Sequence, residues 1–357
     1  MPSTESRAAE RRPALLVRCL AATVALELFV IALATVACHK PAPESASARA
    51  QASSETPATP NHRAGSEPVQ AEMRNVAMDV GSGMILRIGY LRGELLSTAH
   101  GVPPNFDTRA SYDMRIHDGS IRIDAASLAA LMNGYTFAYP GAPLHNLDVK
   151  IKGDKLQVKG ILAKSVRIPF ELDASPSVTS DGMLRLQTTG IKSAHLPVKG
   201  LMNLLGVRVT GLLNGKESRG VRAQGDDLVL DPAGITPPPH IQGKVTSATL
   251  EGTDLVLVFG GEDQHAGGET KRLTPPLPDR RSYMYFRGGS LCFGKLTMRD
   301  ADLEITGGDS AGDYFEFNLD QYNRQLVAGY SKNTPAFGLV VFMPDFRRLG
   351  SAPSSPR

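Results

Sequence analysis

Leu147-Asp148-Val149-Lys150-Ile151-Lys152-Gly153-Asp154-Lys155-Leu156-Gln157-Val158 decides the reading of this chain. Leu147, Val149 and Ile151 alternate with Asp148, Lys150 and Lys152, a period of two that puts the apolar side chains on one face of a strand and the charges on the other. Gly153-Asp154 then reads as a hairpin turn, and Leu156 and Val158 resume the alternation on the returning strand.

The same grammar extends in both directions. Ile168, Phe170 and Leu172 lead through Ser180-Asp181-Gly182 to Leu184 and Leu186, and Leu228 and Leu230 follow Gly225-Asp226. Val245, Thr249 and Leu250 precede Gly252, after which Leu255, Leu257 and Phe259 alternate again. Tyr283 and Tyr285, Leu303 and Ile305, Phe315, Phe317 and Leu319, then Leu339 and Val341 repeat the pattern toward the C-terminus. Closely spaced strands of this kind predict an antiparallel sheet. Two helices stand out against them. Asp124 caps one whose Leu128, Leu131 and Met132 share a face and which stops at Asn133-Gly134; the other is short, around Val198 to Leu205, with Leu201, Leu204 and Leu205 together before Gly206. The expected fold is therefore mainly β (α+β), a long antiparallel sheet with one or two short helices and a C-terminal β-rich extension.

Outside the strands, composition changes. Arg7, Arg11, Arg12 and Arg18 precede a mostly apolar stretch from Leu20 to Cys38, the pattern of a segment that enters a membrane with its positive flank left in the cytoplasm. Residues 1–38 are thus read as a signal peptide or membrane anchor, and everything after them as extracytoplasmic, periplasmic or at the cell surface. Thr35-Val36-Ala37-Cys38 loosely matches the bacterial lipobox, which makes Cys38 the candidate lipidation site of a lipoprotein. Glu27 within the stretch makes a permanent span costlier, yet an uncleaved anchor and simple secretion stay open beside lipidation. Residues 39–75 are rich in Ala, Ser, Pro, Glu and Thr and read as a disordered linker. The expected body runs from 76 to 260, a linker or long loop from 261 to 281, a C-terminal β-rich subdomain from 282 to 346 and a disordered tail from 347 to 357. Whether 282–346 stands alone or completes the first sheet is left open by the pattern.

A formal charge of +3, of which residues 1–38 carry +1, offers no electrostatic reason to expect nucleic acid. With Cys19 and Cys38 at the targeting segment, only Cys292 belongs to the body, which excludes an internal disulfide framework; between Leu291 and Phe293 it reads as a small buried hydrophobe. Catalytic constellations are equally sparse. The closest histidines, His100 and His117, are 17 residues apart, which is no local metal-ligand pair. Gly288-Gly289-Ser290-Leu291-Cys292 lacks the last glycine of a nucleophile elbow, and Gly211-Leu212-Leu213-Asn214-Gly215-Lys216 is one residue short of a phosphate loop. Asp302 and Glu304 share a strand face as a formal acid and base pair, but read as solvated charges; Arg87 and Arg92 read as surface charges. No enzyme, cofactor or metal is expected.

From Asp118-Gly119 to Phe259 a set of features follows in order: Leu128 through Phe137 with Asn133-Gly134-Tyr135, Pro143-Leu144 ahead of the Leu147 strand, Ile168-Pro169-Phe170, Ser180-Asp181-Gly182, Leu196-Pro197 before Leu201 to Leu205, and Asp231-Pro232 through Pro237-Pro238-Pro239. This order resembles a bacterial family of extracytoplasmic phospholipid-binding proteins akin to the mycobacterial mannan-elongation lipid-binding factors. The resemblance implies a tubular lipid-binding fold, similar to half of the bactericidal permeability-increasing protein: a long curved antiparallel sheet wrapped against a helix, with an apolar groove for acyl chains. One departure is evident, because Gly81, Gly83, Gly89 and Gly93 interrupt any long helix near residues 76–95.

A sheet with one apolar face and few helices to cover it either curls over its own side chains or leaves a cavity. The expected function is non-catalytic binding or carriage of a phospholipid, another acyl-chain ligand or a lipid-linked glycan, by a protein held at the membrane through its N-terminal segment. Leu128, Leu131, Met132, Leu201, Leu204 and Leu205 are the candidate lipid-binding residues. The alternative is a structural or adaptor protein of the cell envelope with a solid β core and protein partners.

Overall fold

The computed structural model describes residues 67–163, 167–193, 196–197, 219–260, 272–277, 279–307 and 313–350. Cys38 and the stretch carrying Leu201, Leu204 and Leu205 lie outside the described residues, as do residues 261–271.

The described part opens with a long hairpin, β1 (Val69–Asp79) and β2 (Ile85–Ser97), followed by β3 (Tyr112–Asp124) and the helix α1 (Ala125–Leu131). Gly81 and Gly83 supply the positive φ angles of the first turn, +94° and +79°, so the glycines that forbid a helix here serve a hairpin instead. Next come β4 (Leu144–Lys152), β5 (Lys155–Ala163), β6 (Arg167–Val178), β7 (Leu184–Ser193) and β8 (Leu196–Pro197). The hairpin read at Gly153-Asp154 joins β4 to β5, with Val149 opposite Val158 and Ile151 opposite Leu156. After β9 (Val221–Gln224) and β10 (Asp227–Leu230) a short helix α2 (Pro232–Ile235) leads to β11 (Ile241–Gln242), β12 (Val245–Glu251) and β13 (Asp254–Phe259). The last part consists of β14 (Tyr283–Phe293), β15 (Leu296–Gly307), β16 (Phe315–Asn318), the helix α3 (Tyr322–Ala328), β17 (Tyr330–Asn333) and β18 (Leu339–Met343).

Among the described residues these strands form two sheets. The large one runs β12-β13-β3-β2-β1-β14-β15-β18-β17, with β11 beside β3 and β16 beside β1; the small one runs β4-β5-β6-β7-β10-β9, with β8 beside β7. Most pairs are antiparallel, as the alternation predicts, while β1–β16, β3–β11 and β15–β18 are parallel. The two sheets turn their apolar faces toward each other, and Val245 N donates to Gly182 O (3.0 Å) where β12 meets the β6–β7 turn. Farther along the large sheet, Phe106 sits among Tyr112, Phe286, Phe293, Phe317 and Tyr322 at ring-centroid distances of 5.4–6.3 Å, a second packed region beneath α3.

Several expectations need correction. Residues 69–75 are not linker but the first half of β1, where Val69, Ala71 and Met73 are buried; low apolar content upstream hid a short alternating run. Gln70–Arg74 of β1 pairs with Tyr283–Arg287 of β14, so the strands of 282–346 extend the same sheet, and sequence distance concealed a pairing that is local in space. The tail starts later than residue 347, because Phe346–Leu349 makes a 3₁₀ turn and Arg347 Nε donates to Glu316 Oε1 (2.5 Å). Asn133-Gly134 does not stop the helix. Residues 132–136 continue it as a wider π-turn, and Asn133 bridges to β4, accepting from Leu147 N (2.9 Å) and donating to Leu147 O (2.7 Å). Helix α3 was not foreseen, since it has no capping side chain at its start and is only seven residues long.

Asn133 thus holds α1 onto the edge strand of the small sheet through both polar atoms of one amide. Asn133→Ala leaves a backbone donor and acceptor of Leu147 without these partners and is expected to destabilise the protein by about 1–3 kcal/mol, measured as a lowered midpoint in thermal or urea denaturation.

Candidate functional site

The two inward faces do not fill the space between them. An apolar cavity of about 80 Å³ remains, bounded by α1, the π-turn and both sheets. From the large sheet come Leu86 of β2, Ile121 and Ile123 of β3, and Leu255, Leu257 and Phe259 of β13. The small sheet contributes Leu147 and Val149, Leu156 and Val158, Phe170 and Leu172, Leu184 and Leu186, and Leu228 and Leu230, one alternating pair from each of β4, β5, β6, β7 and β10. Period two in the sequence and one shared wall in space are the same fact.

Three of the predicted lipid-binding residues are at this cavity. Leu128, Leu131 and Met132 line it, because α1 is capped by Asp124, whose carboxylate accepts from Ser127 N (2.7 Å), and this start directs that face inward. Burial opposes ionisation of Asp124, but the Ser127 N–H and hydroxyl and the Arg87 guanidinium at 2.9 Å outweigh it and hold its carboxyl below the usual carboxylate range. The inner-face leucines and Phe170, Phe259 and Val158 were recognised as strand core but not as cavity wall. The signal was present in their alternation; what hid their role was that opposite walls come from strands distant in sequence.

Chemically the lining is nearly uniform. Its polar side chains among the described residues are Thr136 and Thr236, and both hydroxyls are engaged: Thr136 Oγ1 donates to Ile235 O (3.1 Å), and Thr236 Oγ1 donates to Pro232 O (2.9 Å) while accepting from Ile241 N (3.1 Å). Among the described residues no titratable side chain lines the wall. Such a surface solvates hydrocarbon and offers no group for acid–base or nucleophilic chemistry.

The carboxylates on the opposite face of the large sheet differ from expectation. Glu304 is not on a solvated face but fully buried, and Glu72 of β1 is buried likewise; Tyr285 of β14 lies between them in one cross-strand row. The segment 272–277 crosses this row. Leu273 N donates to Glu72 Oε2 (3.1 Å), Leu277 N donates to Glu304 Oε2 (2.8 Å), and Tyr283 Oη donates to Glu72 Oε1 (2.7 Å). The two glutamates therefore fasten a backbone strap to the sheet. Asp302 is bonded to Tyr285 Oη (3.0 Å) and Arg287 (3.3 Å). Cys292 is half-buried rather than buried, with Sγ 3.4 Å from Thr297 Oγ1, because it points to this outer face. Arg92 pairs with Asp118 at 3.0 Å. Among the described residues no three His, Cys, Asp or Glu side chains gather into a metal-binding group.

Comparison of the chain with protein-family models, with curated proteins and with solved structures finds no match.

Burial pushes the Glu304 carboxyl up to about 7; the Leu277 N–H and Arg280 work against this and Asp302 with it. A folded-state value above the unfolded one means that the native protein binds the extra proton, so stability falls as pH rises from about 4.5 through 7. Thermal midpoints are expected to drop over that interval in the wild type, and Glu304→Gln, which stays neutral, is expected to flatten the drop.

Proposed function

We propose that this chain is a membrane-tethered, extracytoplasmic protein that binds or carries a lipid or lipid-linked glycan by its acyl chain and does no chemistry on it. The observation that carries this reading is the cavity between the sheets, walled by aliphatic and aromatic side chains, with the two threonine hydroxyls among its described lining residues bonded internally. Each methylene moved from water into such a wall gains about 0.8 kcal/mol, so hydrocarbon alone provides the driving force. The basic and apolar N-terminus, with Cys38 as a candidate lipidation site, and the order of features that resembles extracytoplasmic phospholipid-binding proteins support the same reading.

At about 80 Å³ the cavity is smaller than an engineered apolar cavity of about 150 Å³ that takes up benzene, so in this conformation it holds only the end of a chain. A longer chain enters as the walls part. Met84 and Met132 in the lining have the unbranched, adaptable side chains that such repacking needs. A second reading, an envelope adaptor, draws on a different observation: β17 is an edge strand whose four residues are all exposed, an open template for a partner strand.

The test is to purify the full chain, extract it with organic solvent and identify what it held by mass spectrometry. Wild type is expected to carry lipid in near-equimolar amount. Val158→Phe, which fills the cavity at a cost of about 1–3 kcal/mol, is expected to lose most of it while still unfolding cooperatively. A lipid-free wild type that also takes up none from vesicles sinks the reading.

A further inference from the structure

The cavity has one wet corner. Of its described lining residues, Met132 on the π-turn and Ile235 on α2 are half-buried and all the rest are buried. Those two elements face each other, tied by the bond from Thr136 Oγ1 to Ile235 O. Here the apolar wall reaches the surface.

Arg219 stands at this corner. Its Nη1 donates to Tyr135 O (2.5 Å), and its guanidinium lies over the Tyr135 ring at 4.6 Å and near the Tyr139 ring at 5.8 Å. Its position relative to α2 is set by the next residue: a Cβ on Gly220 would come within 2.7 Å of Gly234 Cα, and one on Gly234 within 2.5 Å of Gly220 Cα. The backbone contact is thus closed to any other residue, and Arg219 is held between the two elements that form the corner. Four cations on the cavity-lining strands pair with carboxylates on the outer faces: Arg87 with Asp124, Arg122 with Glu251, Lys159 with Glu171 and Arg185 with Asp227. Arg219 has no carboxylate within ion-pair distance among the described residues, and a guanidinium offers five N–H donors in a planar fork suited to phosphate or carboxylate oxygens.

We infer that the mouth of the cavity lies between the π-turn and α2, and that Arg219, backed by Tyr135, binds the anionic headgroup, phosphate or carboxylate, of the lipid whose chain occupies the cavity. This rests on the lipid reading above and adds to it the ligand's charge and its orientation. Because the described lining has no free polar group for a headgroup, the chain enters first and the headgroup stays at Arg219.

The experiment incubates the tagged full-length chain with mixed vesicles of dioleoyl phosphatidylcholine and dioleoyl phosphatidylglycerol, recovers it, and measures both lipids by mass spectrometry. Wild type is expected to be enriched in phosphatidylglycerol. Arg219→Gln, which keeps a donor for Tyr135 O but no charge, is expected to lose about tenfold of that preference while still taking up phosphatidylcholine. Arg219→Lys is expected to retain the preference, and guards against misfolding as the cause of a loss. An unchanged ratio in Arg219→Gln overturns the headgroup assignment and leaves the lipid reading standing, whereas no uptake of either lipid by wild type overturns both. In a parallel arm inorganic phosphate is added; abolition of the preference by phosphate alone would replace the lipid headgroup with a free-anion site and overturn the assignment, and persistence supports it.

Discussion

Two sheets with one greasy face each must cover those faces, and here they cover each other. Leu147, Val149, Leu156 and Val158 on one side meet Ile121, Ile123, Leu255 and Leu257 on the other, and the helix at the gap among the described residues is short: α1 of seven residues, the π-turn that continues it and the four-residue α2. Side chains projecting from two walls with so small a wedge do not close the gap, and protein interiors rarely leave space of this kind. The cavity is therefore a consequence of the architecture rather than a local defect. Its shape depends on how α1 is seated, through the Asp124 cap at one end and the Asn133 amide at the other.

The large sheet is asymmetric along its length. At the β3 and β13 end its inner face borders the cavity, while at the β14 and β15 end the same face is sealed by packed rings around Phe106. Its outer face is closed differently again, by the strap of residues 272–277 held through backbone N–H groups to two buried glutamates. A buried carboxylate is tolerated only where donors meet it. Glu72 has Tyr283 Oη and Leu273 N, whereas among the described residues Glu304 has Leu277 N alone and its Oε1 has no hydrogen-bond partner, so burial raises its affinity for a proton.

Much of this was legible before any fold was known. The strand pairs at Gly153-Asp154, Ser180-Asp181-Gly182 and Gly225-Asp226 stand where alternation and turn chemistry place them, and Asp124 caps α1 as its residue type and position imply. A carboxylate on a strand face is usually wet, and nothing near residue 304 says that residues 272–277 will lie across it. The continuation of α1 past Asn133-Gly134 escaped notice because the asparagine, an ordinary stop signal, finds its partners on β4, fourteen residues on.

Periodicity, turn residues and one capping carboxylate determined from the sequence alone that the protein is mainly β, where its hairpins turn and which side chains face inward, because each depends on neighbours a few residues apart. The pairing of β1 with β14, the burial of Glu304, the cavity and the arrival of Arg219 at its corner were decided only by tertiary structure. These depend on which of several equally apolar or polar faces meet, and that choice is set by packing the whole chain at once.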